Sequence, residues 1–248
     1  MSMSINCFLA MTAGEFVSGA PLPPRPAWMA CHFSVYGTGL TNLPRNLPAG
    51  SMVIVNDRIP LNGHDPKQIG AQLADLEQQL DISGFLLDFQ RQDCPETQRI
   101  ASYLAEVLTS PVGITEGYAE GLTCPVFVSP PPLHIPPADR FSRWAGRELW
   151  LEAAIEAGTL QITSNGCRYH TLPYTPPDLP VFAAQELFSR YRTEVTSEDA
   201  LFTFYRGPVE LAQLIEHCKT WGITRAIGLY QQLGRDKKAA PEVYEQNQ

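Results

Sequence analysis

The sequence predicts an α/β fold of the (β/α)8 TIM-barrel kind, a single domain with an antiparallel β insert near its C-terminus. Three observations predict it. Short apolar runs of strand length recur along the chain, and several are followed by segments of helical period, the pattern of β/α units around a parallel sheet. About eight such runs in 248 residues match the size of the barrel. Between Thr159 and Tyr205 the pattern changes to paired short segments separated by turn residues, as in hairpins. Open doubly wound sheets also alternate strand and helix, so it is the strand count that favours a barrel.

The strand candidates follow in order. Asn6 to Met11 comes first and Met29 to Tyr36 second. Ser51 to Asn56 and Gly84 to Phe89 are the clearest, because they are continuous and β-rich like strands buried on both faces. Val112 to Thr115, Val126 to Ser129, Leu149 to Ala153 and Arg225 to Tyr230 complete the set. Helices are predicted over Asp65–Leu80, Pro95–Leu108 and Pro208–Trp221, each with proline near its start, where the missing N–H costs little. The first carries Ile69, Leu73, Leu76 and Leu80 on one face, and the last stops at Trp221-Gly222. In the insert, Leu160–Thr163 and Arg168–Leu172 flank Ser164-Asn165-Gly166, while Tyr191–Val195 and Leu201–Tyr205 flank Thr196–Asp199. Prolines cluster at 21–26, 130–137 and 173–180 and read as stiff connecting loops. The expected organisation is one domain over 1–234, with the insert at 159–205, followed by a polar tail over 235–248.

Composition narrows the function. With 44% hydrophobic and 18% charged residues the chain can bury a full core, which excludes disorder as its main state. Lys and Arg total 18 against 26 Asp and Glu, a net charge of −8, the wrong sign for a nucleic-acid partner. No stretch nears the roughly 18 apolar residues of a membrane span. The apolar patch Cys7–Met11 is followed, not preceded, by the first basic residue, Arg25, so no secretory leader is read and a cytoplasmic location is expected. The six cysteines form no C-x-x-C pair, and the five histidines no H-x-x-x-H face, so neither a disulfide framework nor a metal is expected. Phosphate-binding and nucleotide motifs are missing as well, and no cofactor is expected.

In such a barrel, chemistry sits at the carboxyl ends of the strands. Polar residues ending the apolar runs are Asp57 and Arg58, then Asp88, Gln90 and Arg91, then Glu116, Glu152 and finally Tyr230 and Gln231 with Gln232. Period-two alternation puts Asp88 and Gln90 on the same side of their strand, above Leu86, so that both can face the barrel mouth. Each carboxylate also has a structural alternative. Asp88 can accept a loop amide or pair with Arg91 or Arg58, Asp57 can pair with Arg58, and at least one of Glu116 and Glu152 is expected to pair with an arginine.

Ser83-Gly84-Phe85-Leu86-Leu87-Asp88-Phe89-Gln90 resembles a degenerate form of the glycoside hydrolase family 18 signature D-G-x-D-x-D-x-E. The glycine and last aspartate are kept, Ser83 and Leu86 replace the first two acids, and Gln90 stands at the acid catalyst's position. A second stretch, Tyr191 to Gly234, is similar to the end of the bacterial spore-cortex branch of that family, with Leu229 and Tyr230 near the place of a usual tryptophan. The resemblance implies a barrel in which Asp88 orients the substrate's acetamide, whose oxygen acts as nucleophile, while the acid at position 90 is missing. An amide donates and accepts hydrogen bonds but cannot protonate a leaving group. The expected function is therefore binding of N-acetylhexosamine glycans, or a related small polar ligand, without standard hydrolysis. Asp57, Phe89, Arg91, Tyr36, Tyr230 and Gln231 are the expected ligand contacts, although aromatics at these spacings also serve as core. Two alternatives remain open: an active hydrolase that uses Glu116 or Glu152 as acid, and a non-catalytic interaction protein whose mouth is plugged by apolar side chains.

Overall fold

The computed structural model describes residues 5–59, 61, 63–91 and 94–234; the tail expected over 235–248 lies outside them. The first half runs β1 (Asn6–Met11), α1 (Ala13–Val17), β2 (Pro26–Phe33), β3 (Leu40–Thr41), β4 (Ser51–Asn56), α2 (Pro66–Gln79), β5 (Ile82–Asp88), α3 (Pro95–Val107) and β6 (Val112–Thr115). The second half runs β7 (Val126–Val128), α4 (Pro137–Phe141), β8 (Leu149–Ala153), β9 (Glu156–Thr163), β10 (Gly166–Leu172), β11 (Phe182–Ala184), β12 (Ser189–Val195), β13 (Asp199–Arg206), α5 (Pro208–His217), β14 (Ile223–Leu229) and α6 (Tyr230–Leu233). Among the described residues eight parallel strands close on themselves in the order β1-β14-β8-β7-β6-β5-β4-β2, and β2 pairs back to β1 with Leu9 opposite Pro26. Between β8 and β14 the chain builds a separate antiparallel sheet, β10-β9-β13-β12-β11. The barrel and its antiparallel insert are thus as the sequence predicts.

Alternation along each strand sorts the core into two layers. Phe8 and Ala10, Met52 and Ile54, Leu86, Phe127, Trp150 and Ile227 fill the barrel interior. Their neighbours Cys7, Leu9, Val53, Val55, Phe85 and Leu87 face outward to the helical layer. The lower interior is closed by Trp150, whose ring lies 4.4 Å from the Arg225 guanidinium. Gly113 makes that possible, since a Cβ there would sit 2.1 Å from the Trp150 ring. Gly84 is equally constrained, with φ +151° and a Cβ position 2.5 Å from the Pro111 carbonyl oxygen. Its presence in the signature-like segment has a purely structural cause.

The long helices α2 and α3 form where predicted. Asp65 caps α2 by accepting the Lys67 amide at 3.0 Å, and Ile69, Leu73 and Leu76 are buried beneath it. Elsewhere the shell departs from expectation. The second strand starts at Pro26 and ends at Phe33, so Ser34–Thr38 form an exposed loop. The predicted Pro208–Trp221 helix is α5 plus a tight 3-10 turn over Cys218–Trp221, ended by Gly222 at φ +75°. After β1 and β7 only five-residue helices form, because the proline clusters at 21–26 and 130–137 remove the N–H groups a longer helix needs. Among the described residues no helix is long and apolar enough to cross a membrane.

Candidate functional site at the barrel mouth

Above Leu86, Ile54 and Ile227 the interior opens. A cavity of about 100 Å³ there is lined by Asp88, Gln90, Phe127, Glu152 and Gln232 among others, with walls from Met29, Leu86 and Leu229. It adjoins a cleft of about 420 Å³ lined by Gln90, Arg91, Thr115, Glu116, Tyr118, Ser129 and Glu152, among others. Gln90, Phe127 and Glu152 border both. The larger volume falls within the roughly 300–1,000 Å³ of small-ligand sites. The mouth is open rather than plugged.

Asp88 and Gln90 face this space from the end of β5, and the Gln90 side-chain amide donates to Asp88 Oδ1. Their backbone is fixed from three sides. Asp57, just past β4, accepts the Gln90 amide on Oδ1 and the Arg91 amide on Oδ2, each at 2.9 Å. Thr115 donates its hydroxyl to the Phe89 carbonyl at 2.8 Å, and the Tyr118 hydroxyl donates to the Arg91 carbonyl. Burial raises the Asp88 carboxyl above its ordinary range, with the Gln90 amide opposing the rise and the Asp57 charge adding to it.

Glu152, on β8, reaches the same cavity. Its side chain is exposed to the cleft while the barrel wall encloses it on the other sides, and that enclosure, with the charges of Asp88 and Glu156, pushes it up to about 7. Glu116 behaves differently: it forms an ion pair with Arg140 of α4, as expected for one of the two.

Of the six expected ligand contacts, Phe89 and Arg91 border the cleft, whereas Asp57, Tyr36, Tyr230 and Gln231 line neither the cleft nor the cavity. Asp57 is 3% exposed and spends both oxygens on backbone amides, so it shapes the loop instead of meeting a ligand or pairing with Arg58. Phe89 packs in the outer core, 5.7 Å from Phe33 and 6.1 Å from Tyr118 between ring centres, and only borders the cleft. Arg91 lines the cleft, but its Nε donates to the Asp57 carbonyl at 3.0 Å and Nη2 to the Arg58 carbonyl at 3.3 Å. Tyr36 is fully exposed on the loop after β2. Tyr230 is buried in the outer layer because α6 begins at it and ends the strand's alternation; Leu229 faces the cavity instead. Gln231 donates to Glu15 Oε2 at 2.8 Å on the rim. Sequence reasoning missed Phe127, Ser129 and Arg140. The first two stand at the end of a predicted strand with the correct alternation, a usable signal, whereas the Arg140 contact spans 24 residues and leaves none.

No protein-family model matches the sequence, and no curated protein matches it. Solved structures do match. An N-acetylglucosaminidase of glycoside hydrolase family 18 from Paenibacillus barengoltzii aligns over 99% of this chain and 100% of its own, with TM-score 0.63 and 10% identity. The barrel has the family 18 fold. A chitinase-like agglutinin from Robinia pseudoacacia aligns over 97% of this chain and 99% of its own, TM-score 0.62 and 11% identity. The spore cortex-lytic enzyme SleL of Bacillus cereus covers 100% of this chain over 75% of its own, TM-score 0.58 and 8% identity. Within this fold, the departures in the signature-like segment have clear physical places. Ser83 donates to the Ser51 carbonyl at 3.2 Å, Leu86 is buried in the interior below Asp88, and Gln90 holds the strand-end position over the cavity.

Asp57 should act through the loop it holds. Asp57→Ala strands two backbone amides, which costs about 2 kcal/mol after water reaches the exposed loop. We expect a lowered melting temperature together with weakened ligand binding at the mouth. Asp57→Asn, which keeps one acceptor, should lose less of both, measured by thermal unfolding and calorimetry.

Proposed function

We propose that the protein binds glycans containing N-acetylhexosamine, or a related small polar ligand, at the barrel mouth without the standard hydrolysis of family 18. One observation carries the reading: at the strand-end position over the cavity stands Gln90, an amide bonded to Asp88, where the resemblance calls for an acid. An amide keeps both hydrogen-bonding functions and loses the transferable proton. The names of the structural neighbours, an N-acetylglucosaminidase and an agglutinin among them, support the ligand class. The open, polar cleft favours this reading over a protein that works only through its surface.

Calorimetric titration with chitin and peptidoglycan oligosaccharides tests it. Wild type should bind, and Asp88→Ala should bind at least roughly tenfold more weakly, the loss of about one charge-assisted hydrogen bond. Wild type that binds none of these oligosaccharides ends the proposal.

A further inference from the structure

The two carboxylates of the mouth are unequally supported, and the difference decides which of them holds a proton. Asp88 has the Gln90 amide on Oδ1. Among the described residues Glu152 has no hydrogen-bond or ion-pair partner, although it borders both the cavity and the cleft. The cavity that it shares with Asp88 is lined by these two acids, by amides and by apolar groups, with no Lys, Arg or His. Cations stand nearby, but each is engaged elsewhere. Arg91, in the loop after β5, donates to the carbonyls of Asp57 and Arg58. Arg140 of α4 holds Glu116, and Arg206 of β13 holds Glu156 at 3.3 Å. Glu156 of β9 and Asp88 of β5 are the charges that act on Glu152, and both are negative.

We infer that Glu152 carries its proton in the free protein in mildly acidic solution and is there a hydrogen-bond donor of the mouth to an uncharged acceptor on the ligand, such as an acetamide carbonyl or a sugar hydroxyl. For the ligand this rests on the glycan reading above; for the proton it stands on the site alone. Two carboxylates in one small cavity do not both ionise freely, and the one that already accepts an amide N–H keeps the charge. The upward shift of Glu152 agrees with that assignment. A neutral acid supplies one O–H donor that a carboxylate lacks. The sign follows: donation is available below the Glu152 midpoint and disappears as the pH rises through it. Gln90, already donating to Asp88, and Glu152 then divide the work, the first orienting Asp88 and the second addressing the ligand.

The test uses the intact protein. Carbon-13 carboxyl titration by NMR should give Glu152 a midpoint near 7, and Asp88→Asn, which removes the like charge, should lower it by roughly one unit. Calorimetry with triacetylchitotriose should show affinity falling roughly tenfold from pH 5.5 to 8.5 in wild type, as expected for loss of one donor. Glu152→Gln, which donates at every pH, should flatten that profile. Glu152→Ala should bind roughly tenfold more weakly than wild type at pH 5.5. A Glu152 midpoint in the ordinary carboxylate range overturns the inference, as does wild-type binding that is flat with pH. Absence of binding at every pH overturns the glycan reading instead, while the carboxyl titration still decides where the proton sits.

Discussion

Gln90→Glu is expected to turn the mouth from binding to hydrolysis. The replacement has the same length and sits on a backbone that Asp57, Thr115 and Tyr118 hold independently of the side chain. In wild type the amide N–H donates to Asp88 Oδ1. A glutamic acid can make that contact only when protonated, and the neighbouring Asp88 charge favours the protonated form. The variant thus presents a carboxylic acid beside the aspartate that, by the family resemblance, orients an acetamide. General acid catalysis contributes about 10²–10⁴-fold, so release of an aryl leaving group from an N-acetyl-chitobioside should rise by that order over wild type. The rate should fall as the pH rises through the midpoint of the introduced acid, and adding Asp88→Asn should abolish the gain. A Gln90→Glu protein that binds chitotriose yet releases no more aryl group than wild type would show that positions 88 and 90 are not a catalytic pair.

How much of this was legible in the sequence depends on the range of the interaction involved. Ser51–Asn56, Val112–Thr115 and Leu149–Ala153 form as read, because a continuous apolar run in a closed parallel barrel is buried on both faces and ends where its polar residue begins. The alternation that aims Asp88 over Leu86 toward the mouth is likewise local. Asp57 is the opposite case. A polar residue at a strand end looks like a ligand contact, but its partners lie 33 and 34 residues further on, in a loop whose position is known only once β4 and β5 pair. Tyr230 falls outside the alternation that the sequence suggests because the strand ends at Leu229 and a helix begins at Tyr230. Glu116 and Glu152 are indistinguishable as residue types. Their difference comes from Arg140, which reaches one and not the other, and that is a property of packing.

Arg206→Ala should be the most damaging single change outside the interior of the barrel. Arg206 is fully buried at the end of β13, where the insert returns to the barrel. Its Nε donates to the Phe188 carbonyl at 3.1 Å and its Nη2 to that of Leu187 at 3.3 Å. Nη1 reaches both the Pro131 carbonyl and Glu156 Oε2 at 3.3 Å. One guanidinium thereby ties β9, the loop after β7 and the approach to β12 together. Truncation leaves three carbonyls without this donor and a largely enclosed carboxylate without its cation, a loss of about 3–5 kcal/mol, or roughly 10 °C in melting temperature for a chain of this size. Arg206→Lys should recover little, because an ammonium cannot span four acceptors in one plane. The damage should also depend on pH. Burial already holds the Glu156 carboxyl above its ordinary range even with Arg206 opposing the rise, and removing the arginine raises it further. As the pH rises from 4, the unfolded chain releases the Glu156 proton before the folded one does, so the folded state of the variant loses stability relative to wild type. The gap in melting temperature should therefore widen between pH 4 and pH 8. A gap that stays constant over that range would mean that the guanidinium acts only as a packing and carbonyl-binding group and that Glu156 contributes no charge of consequence at the root of the insert.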